Sequence, residues 1–281
     1  MDRIHSLDGV TIAVHDLAGD ASRSPLLVSH ATGFHARCYL PMAAALGDRY
    51  HVLGLDHRGH GASTLPDGWD VDWSRFGTDT LRVAEAIAPD GGLAGVGHSM
   101  GGASLLMAAH TRPGLFAHLT LFEPVAHPSN SDLADVDMRS LPIVQGALRR
   151  RRRFASIREA VDNYVDKPPL SVLVPDALAQ YVEHGFRPVV DEDGAPAVEL
   201  CCTPELEAGI FVGGRDNGVW ELLAEIETPC TVIGGRVEER QPSSKTRPIA
   251  EQLPHGRYLL LDHHDHFGPL SHPDEIAALV P

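Results

Sequence analysis

Positive charge is in short supply in this chain of 281 residues: 23 lysines and arginines face 38 aspartates and glutamates, for a net charge of −15. So acidic a surface repels phosphates over most of its extent, which argues against nucleic acid or an anionic membrane as the main partner. Long apolar runs are missing too. No segment approaches a membrane span, and Met1-Asp2-Arg3-Ile4-His5 has none of the apolar core of a signal peptide, so no membrane partner is expected. Cysteine is sparse. Cys38, Cys201, Cys202 and Cys230 follow no metal-ligand or disulfide spacing, and the adjacent pair is badly placed to bridge within itself. A reduced, cytoplasmic protein is the expectation. No internal repeat is visible. What is present, 43% hydrophobic and 22% charged residues, is the composition of a globular chain, long enough for one large α/β domain or a core with an inserted cap.

One stretch breaks the acidic pattern. Arg149 to Arg153 form an unbroken basic run. A local phosphate-binding or targeting patch is one reading; the solvated part of a helix, anchored by Leu148 and Phe154, is preferred.

Hydrophobic patterning predicts the order of elements. A hairpin occupies residues 3–16, with a turn at Asp8-Gly9 and alternating Val10, Ile12 and Val14. Strands follow at Leu26 to Ser29, Tyr50 to Leu55, 93–96 and 118–122, with helices over Arg37 to Leu46, Trp73 to Ala88 and 100–112 between them. After Glu123-Pro124 the pattern lapses into short helical stretches, Pro and Gly breaks and charge. It returns near Thr228 with strands at Cys230 to Ile233 and Arg257 to Leu261 and helices over 243–253 and Pro273 to Val280. Such alternation implies crossovers and a largely parallel sheet, whose carboxyl edge gathers function.

At that edge stands Gly97-His98-Ser99-Met100-Gly101, a G-x-S-x-G stretch between an apolar run and a helical run. A strand turning at once into a helix strains its turning residue, and side chains at 97 and 101 would collide across the turn. Ser99 is therefore the candidate nucleophile, and the amide of Met100, at the helix N-terminus, faces any negative charge that develops. Serine needs a base, and the base needs an orienting carboxylate. Of 17 histidines, His266 follows the last strand and precedes the last helix, within reach of Ser99. His98 is expected to point into supporting structure. Two glutamates compete as the acid. Glu238 follows the strand ending at Ile233, where it also reads as an exposed member of Glu238-Glu239-Arg240; Glu123 closes an apolar strand, where a carboxylate is costly to bury without a partner. Glu123 is preferred. A second oxyanion amide is expected from His30-Ala31-Thr32-Gly33-Phe34, with Thr32 as donor and Gly33 and Phe34 shaping the loop. No metal or other cofactor is expected, since in His263-His264-Asp265-His266 adjacent side chains of an extended segment point apart. Phe34, Trp73, Leu133, Tyr164, Tyr181, Phe186, Phe211 and Trp220 are candidates either to line an apolar pocket or to form the packing core of a cap.

Taken together, His30 to Phe34, Asp56-His57-Arg58-Gly59-His60-Gly61, Gly97 to Gly102 and His266-Phe267 resemble the α/β-hydrolase fold superfamily in order and spacing. The resemblance implies a mostly parallel eight-stranded sheet flanked by helices, with core residues 1–126 and 227–281 and a helical cap at 127–226. It also implies a Ser, acid, His triad of Ser99, Glu123 or Glu238, and His266. Two positions depart from the pattern: His30-Ala31 stands for the common His-Gly pair, and Glu238 for the usual aspartate. A glutamate after the sixth strand makes the chain look like the branch of haloalkane dehalogenases and zearalenone-type lactonases, but dehalogenases use an aspartate nucleophile and position 99 is serine. The expected activity is hydrolysis of a carboxylic ester or lactone of a small to medium apolar molecule. Carbon–carbon bond hydrolysis of a diketone-like substrate and ligand binding without catalysis are the alternatives.

Overall fold

The computed structural model describes residues 1–128, 136–239 and 241–281. It opens with the antiparallel strands β1 (Asp2–His5) and β2 (Thr11–Ala18), turned where Asp8 and Gly9 both take positive φ. Then come β3 (Pro25–Ser29), α1 (Leu40–Leu46), β4 (His51–Leu55), α2 (Trp73–Ile87), β5 (Leu93–His98), α3 (Met100–Thr111) and β6 (Phe116–Phe122). An insertion carries α4 (Pro142–Leu148), β7 (Arg153–Phe154), α5 (Ile157–Tyr164), α6 (Pro175–His184), β8 (Phe186–Val190), β9 (Pro196–Leu200), α7 (Pro204–Gly213) and α8 (Val219–Leu222). The chain ends with β10 (Cys230–Gly234), α9 (Thr246–Gln252), β11 (Gly256–Leu260), α10 (Gly268–Ser271) and α11 (Pro273–Ala278). Among the described residues no helix is long and apolar enough to cross a membrane.

One eight-stranded sheet runs in the order β1-β2-β4-β3-β5-β6-β10-β11, parallel from β4 to β11. Its central strands read as unbroken apolar runs because both faces are covered. Alternation sorts the side chains: Leu27 and Val232 pack with Phe76, Leu105 and Leu106 of α2 and α3, while Leu26, Val28 and Ile233 pack with Met42, Leu46 and Ile276 of α1 and α11. The second hydrophobic cluster continues into the insertion through Tyr164, Leu178 and Tyr181, so the insertion is seated on the sheet's helices and not held off by a linker.

The insertion differs from the all-helical cap expected from the sequence. It contains a three-stranded antiparallel sheet, β7-β9-β8. Its hairpin turns at Asp193-Gly194, where Gly194 has φ +82° and Asp191 accepts from the amides of Asp193 and Ala195. The helical reading of Arg149 to Arg153 also fails. Helix α4 stops at Leu148, Arg149 and Arg150 turn out of it while their amides still donate to Gln145 O and Ala147 O, and the run ends in strand at Arg153. Buried Glu199 of β9 fixes it there, accepting from Arg152 (2.7 Å) and Arg153 (2.8 Å) and, from its own sheet, Arg187 (3.2 Å). Burial alone would raise the Glu199 carboxyl, but the hydrogen bonds from Arg152 and Arg153 outweigh it and hold it at about 2.

Candidate active site

Ser99 occupies the one-residue turn between β5 and α3 with φ 55° and ψ −116°, a conformation rare for a residue with a side chain. Packing on both sides fixes it. A Cβ at Gly97 would lie 2.6 Å from Gly102 Cα, and one at Gly101 only 2.0 Å from the Ser29 carbonyl oxygen. The amide of Ser99 donates to Phe122 O (3.0 Å) on the neighbouring strand β6. The strand thus delivers the side chain to the carboxyl edge of the sheet, where it lines a cavity.

His266 follows β11 and faces the same cavity. Its Nδ1 lies 2.6 Å from Oε2 of Glu123, which sits one residue past the end of β6 and is 1% exposed. The other carboxylate oxygen accepts from the amide of Gly235 at 2.8 Å. Glu123 itself has φ 45°, a turn that swings its side chain from the end of β6 across to the loop after β10. A proton on Nδ1, donated to a carboxylate, leaves Nε2 as the basic nitrogen on the cavity side. Glu238 takes no part. It is exposed, and its backbone amide donates to Ser243 Oγ (3.0 Å). The structure therefore brings Ser99, His266 and Glu123 together and leaves Glu238 outside.

The loop 31–34 is ordered by Tyr39 and by buried histidines, of which the sequence assigned a supporting place only to His98. The Ala31 amide donates to Tyr39 Oη (3.1 Å), and that hydroxyl donates to His98 Nδ1 (2.8 Å). His98 Nε2 in turn donates to the carbonyl of His266 (2.8 Å). His98 thus points into supporting structure and ties the base to the opposite loop. The Gly33 amide donates to His60 Nε2 (3.1 Å), whose Nδ1 donates to Arg58 O (3.0 Å). His30 donates to Ala31 O through Nδ1 and accepts from the His57 amide through Nε2. Each ring uses one nitrogen as donor and one as acceptor, which requires neutral imidazole. Burial enforces that: desolvation pushes His57 to about 3 and His60 to about 4, and holds His30 and His98 well below the ordinary histidine range. Arg58, wholly buried, closes the loop with a two-pronged bond to Asp79 at 2.7 and 2.9 Å.

This accounting leaves one amide over. Ala31, Gly33 and Phe34 N–H groups each have an acceptor, whereas Thr32 N–H has none among the described residues. Met100, the first residue of α3, has no intrahelical acceptor for its N–H either. Thr32 and Ser99 both line the cavity, so two uncommitted donors flank the serine.

Two cavities share Thr32, Ser99, Ile143, Phe211 and His266 as walls, one of 660 Å³ and one of 130 Å³. Of the aromatic candidates, Phe34, Tyr164, Tyr181 and Phe211 line the larger and Trp73 the smaller, whereas Phe186 packs on Phe154 within the insertion. Trp220 packs against the core under α2 and α3, and Leu133 lies outside the described residues.

His263 and His264 do not point apart as an extended segment would require. The chain turns there, their rings lie 4.2 Å apart, and each has Nε2 at 3.0 Å from an oxygen of Glu275. Their ligand atoms lie within 4.8 Å of one another, the arrangement best suited to a metal ion among the described residues.

Comparison with known proteins places these features in a family. A family model described as "Alpha/beta hydrolase family" matches residues 26–279. The chain is 23% identical over 260 residues to (E)-2-((N-methylformamido)methylene)succinate hydrolase of Acinetobacter baylyi, covering 90% of this chain and 87% of that protein. It is 26% identical over 257 residues to the putative carbamate hydrolase RutD of Agrobacterium fabrum, covering 91% and 90%. The crystal structure of E-2-(acetamidomethylene)succinate hydrolase superposes with a TM-score of 0.77 at 19% identity, over 99% of this chain and 96% of that one, a likeness of fold.

Proposed function

Because the chain belongs to the alpha/beta hydrolase family and is an enzyme of the hydrolase class, we propose that it cleaves a carboxylic ester or lactone of a small to medium, largely apolar molecule through an acyl-enzyme on Ser99. The observation that carries this reading is one wall: Ser99 in its strained turn, His266 bonded to Glu123 at 2.6 Å, and the free amide of Thr32 face the same cavity. Residues 127–226 act as a cap on the core of 1–126 and 227–281, and supply Ile143, Tyr164, Tyr181 and Phe211 to the substrate space.

In the reaction, Oγ of Ser99 attacks the substrate carbonyl carbon while Nε2 of His266 takes the hydroxyl proton. Glu123 stays ionised and stabilises the imidazolium. The amides of Thr32 and Met100 hold the developing oxyanion, each contributing about 3 kcal/mol by the measure of oxyanion-donor deletions. His266 then passes its proton to the departing alkoxide, and the alcohol leaves. Water, deprotonated by the same histidine, attacks the acyl-enzyme and releases the acid with Ser99 restored.

Labelling with a fluorophosphonate tests the nucleophile without knowledge of the substrate. The expected result is one adduct on the peptide bearing Ser99, absent in Ser99→Ala; folded protein that takes no label overturns the reading. Two relatives are named for succinate-derived amide substrates and one for a carbamate. The turnover screen therefore pairs esters and lactones with an amide and a carbamate, and product analysis separates carbonyl–oxygen cleavage from cleavage of a carbon–carbon bond.

A further inference from the structure

The chain is strongly acidic, yet the larger cavity is rimmed with cations. Arg149, Arg150, Arg151 and Lys167 contribute to its lining, against the single carboxylate of Glu207. Two of the four are neutralised locally. Arg150 reaches inward and pairs with Glu207 at 2.6 Å, with Tyr181 Oη as a second acceptor, and Arg151 pairs with Glu159 at 2.7 Å. Arg149 and Lys167 are different: among the described residues neither has a carboxylate partner, and Lys167 meets only the side-chain amide oxygen of Asn163. Arg3, Arg37, Arg139, Arg236 and Arg257 also lack a carboxylate partner among the described residues, so what sets Arg149 and Lys167 apart is that they line one cavity together, the cavity of Ser99. Two unpaired cations on one rim make a local positive field in an otherwise negative surface, and a cleft with low-dielectric walls concentrates it.

Ser99 is a buried wall of the same cavity and Arg149 and Lys167 are exposed ones, and Phe34, Ile143, Leu170 and Phe211 line it as apolar or aromatic walls. From the juxtaposition in one cavity of buried Ser99, apolar walls and exposed cations we infer that the natural substrate carries an anionic group, a carboxylate or a phosphate, at the end remote from the bond that is cleaved, and that Arg149 and Lys167 bind it. The inference rests on the hydrolytic reading of Ser99 and narrows it to a substrate that is apolar in the middle and charged at its far end. Arg149 and Lys167 act as specificity residues. Their attraction for the anion is partly screened by salt because both are exposed.

Three 4-nitrophenyl esters of matched length test this: the adipate monoester, the hexanoate and the 6-aminohexanoate, which end in a carboxylate, a methyl group and an ammonium group. The expected kcat/KM order is carboxylate, then methyl, then ammonium, with at least a tenfold gap between the first two that shrinks as salt is raised. In Arg149→Gln/Lys167→Gln, checked for folding by circular dichroism, the ratio of adipate to hexanoate rates falls towards unity. A ratio near unity in the unaltered enzyme, or one that survives the double substitution, overturns the inference while leaving the hydrolase standing. Calorimetry on Ser99→Ala with adipate and with hexyl phosphate separates the two readings and needs no turnover. Binding of either, lost on the double substitution, supports the subsite and tells carboxylate from phosphate; binding of neither overturns it.

Discussion

Glu123 does two jobs with two oxygens: Oε2 holds the His266 ring and Oε1 holds the Gly235 amide. Glu123→Gln keeps the shape but presents a neutral amide to Nδ1, which no longer fixes the tautomer or stabilises imidazolium, so kcat is expected to fall by about 10⁴-fold. Glu238→Gln, altering an exposed side chain outside the pairing, is expected to change kcat by less than about twofold and stability by less than about 0.5 kcal/mol. Steady-state kinetics on the two variants decide the assignment. Tyr39→Phe removes the hydroxyl shared by Ala31 and His98 and leaves a buried amide and a buried imidazole nitrogen without partners, a loss of about 1–3 kcal/mol in denaturant unfolding. Because both partners position reacting groups, its kcat should fall more than its KM rises. Ser99, His266 and the burial of Glu123 are legible in the sequence, since each depends on a local motif or on a carboxylate closing an apolar strand. The inward direction of His98 is legible too, but the partners of the supporting residues are not. Tyr39 and His98 are 59 positions apart and His98 and His266 are 168 apart, distances over which no pattern in the chain announces a hydrogen bond.

Among the elements, the β5–α3 turn has the least room. Gly101→Ala places a methyl group 2.0 Å from Ser29 O, backbone that cannot withdraw without breaking the sheet, and more than about 4 kcal/mol of stability is expected to be lost. Gly146, in the interior of α4, has open space around its Cβ position and ordinary φ, so Gly146→Ala is expected to stabilise by about 1 kcal/mol through helix propensity alone. Chemical denaturation of both variants checks the contrast. The sheet strands of the core can be read from sequence because burial on two faces leaves apolar runs between helical segments. The small sheet of the insertion cannot be read so easily. β7 is two residues long, and β8 and β9 carry Arg187, Pro188, Pro196 and Glu199 in place of an apolar alternation. Its one local signal is Asp193-Gly194, a hairpin turn in a stretch of charge. Nor can Arg149 to Arg153 be interpreted without knowing that Glu199 and Glu207 come to meet them.

At the scale of the whole molecule, the buried histidines give the protein an acid limit. Desolvation lowers His35 and His60 to about 4 and His57 to about 3, and keeps His30 and His98 well below the ordinary value of 6.5. Above that value both folded and unfolded chains are neutral at these sites and nothing is lost. As pH falls below it, the unfolded chain takes up protons that the native state refuses, and each histidine removes up to about 1.4 kcal/mol per pH unit. Glu199 adds to this lower down: its depressed carboxyl contributes stability above an ordinary 4.5 that disappears as pH approaches 2. The urea midpoint is therefore expected to drop steeply between pH 6.5 and 4, with its onset above the carboxylate range; a flat profile from pH 7 to 5 contradicts the neutral-histidine network. The bond from Gly235 to Glu123 has a different kind of consequence. The strands on either side of the insertion, β6 and β10, are parallel neighbours in the sheet, so the chain leaves at the carboxyl edge beside Glu123 and re-enters β10 from the opposite edge, while Glu123 ties the carboxyl ends of the two strands together. Whatever is spliced between them, long or short, helical or mixed, starts close to that tie and ends a strand's length away from it. On the proposed reading, exchanging one insertion for another would reshape the substrate space and leave the pairing of Glu123 with Gly235 and His266 in place.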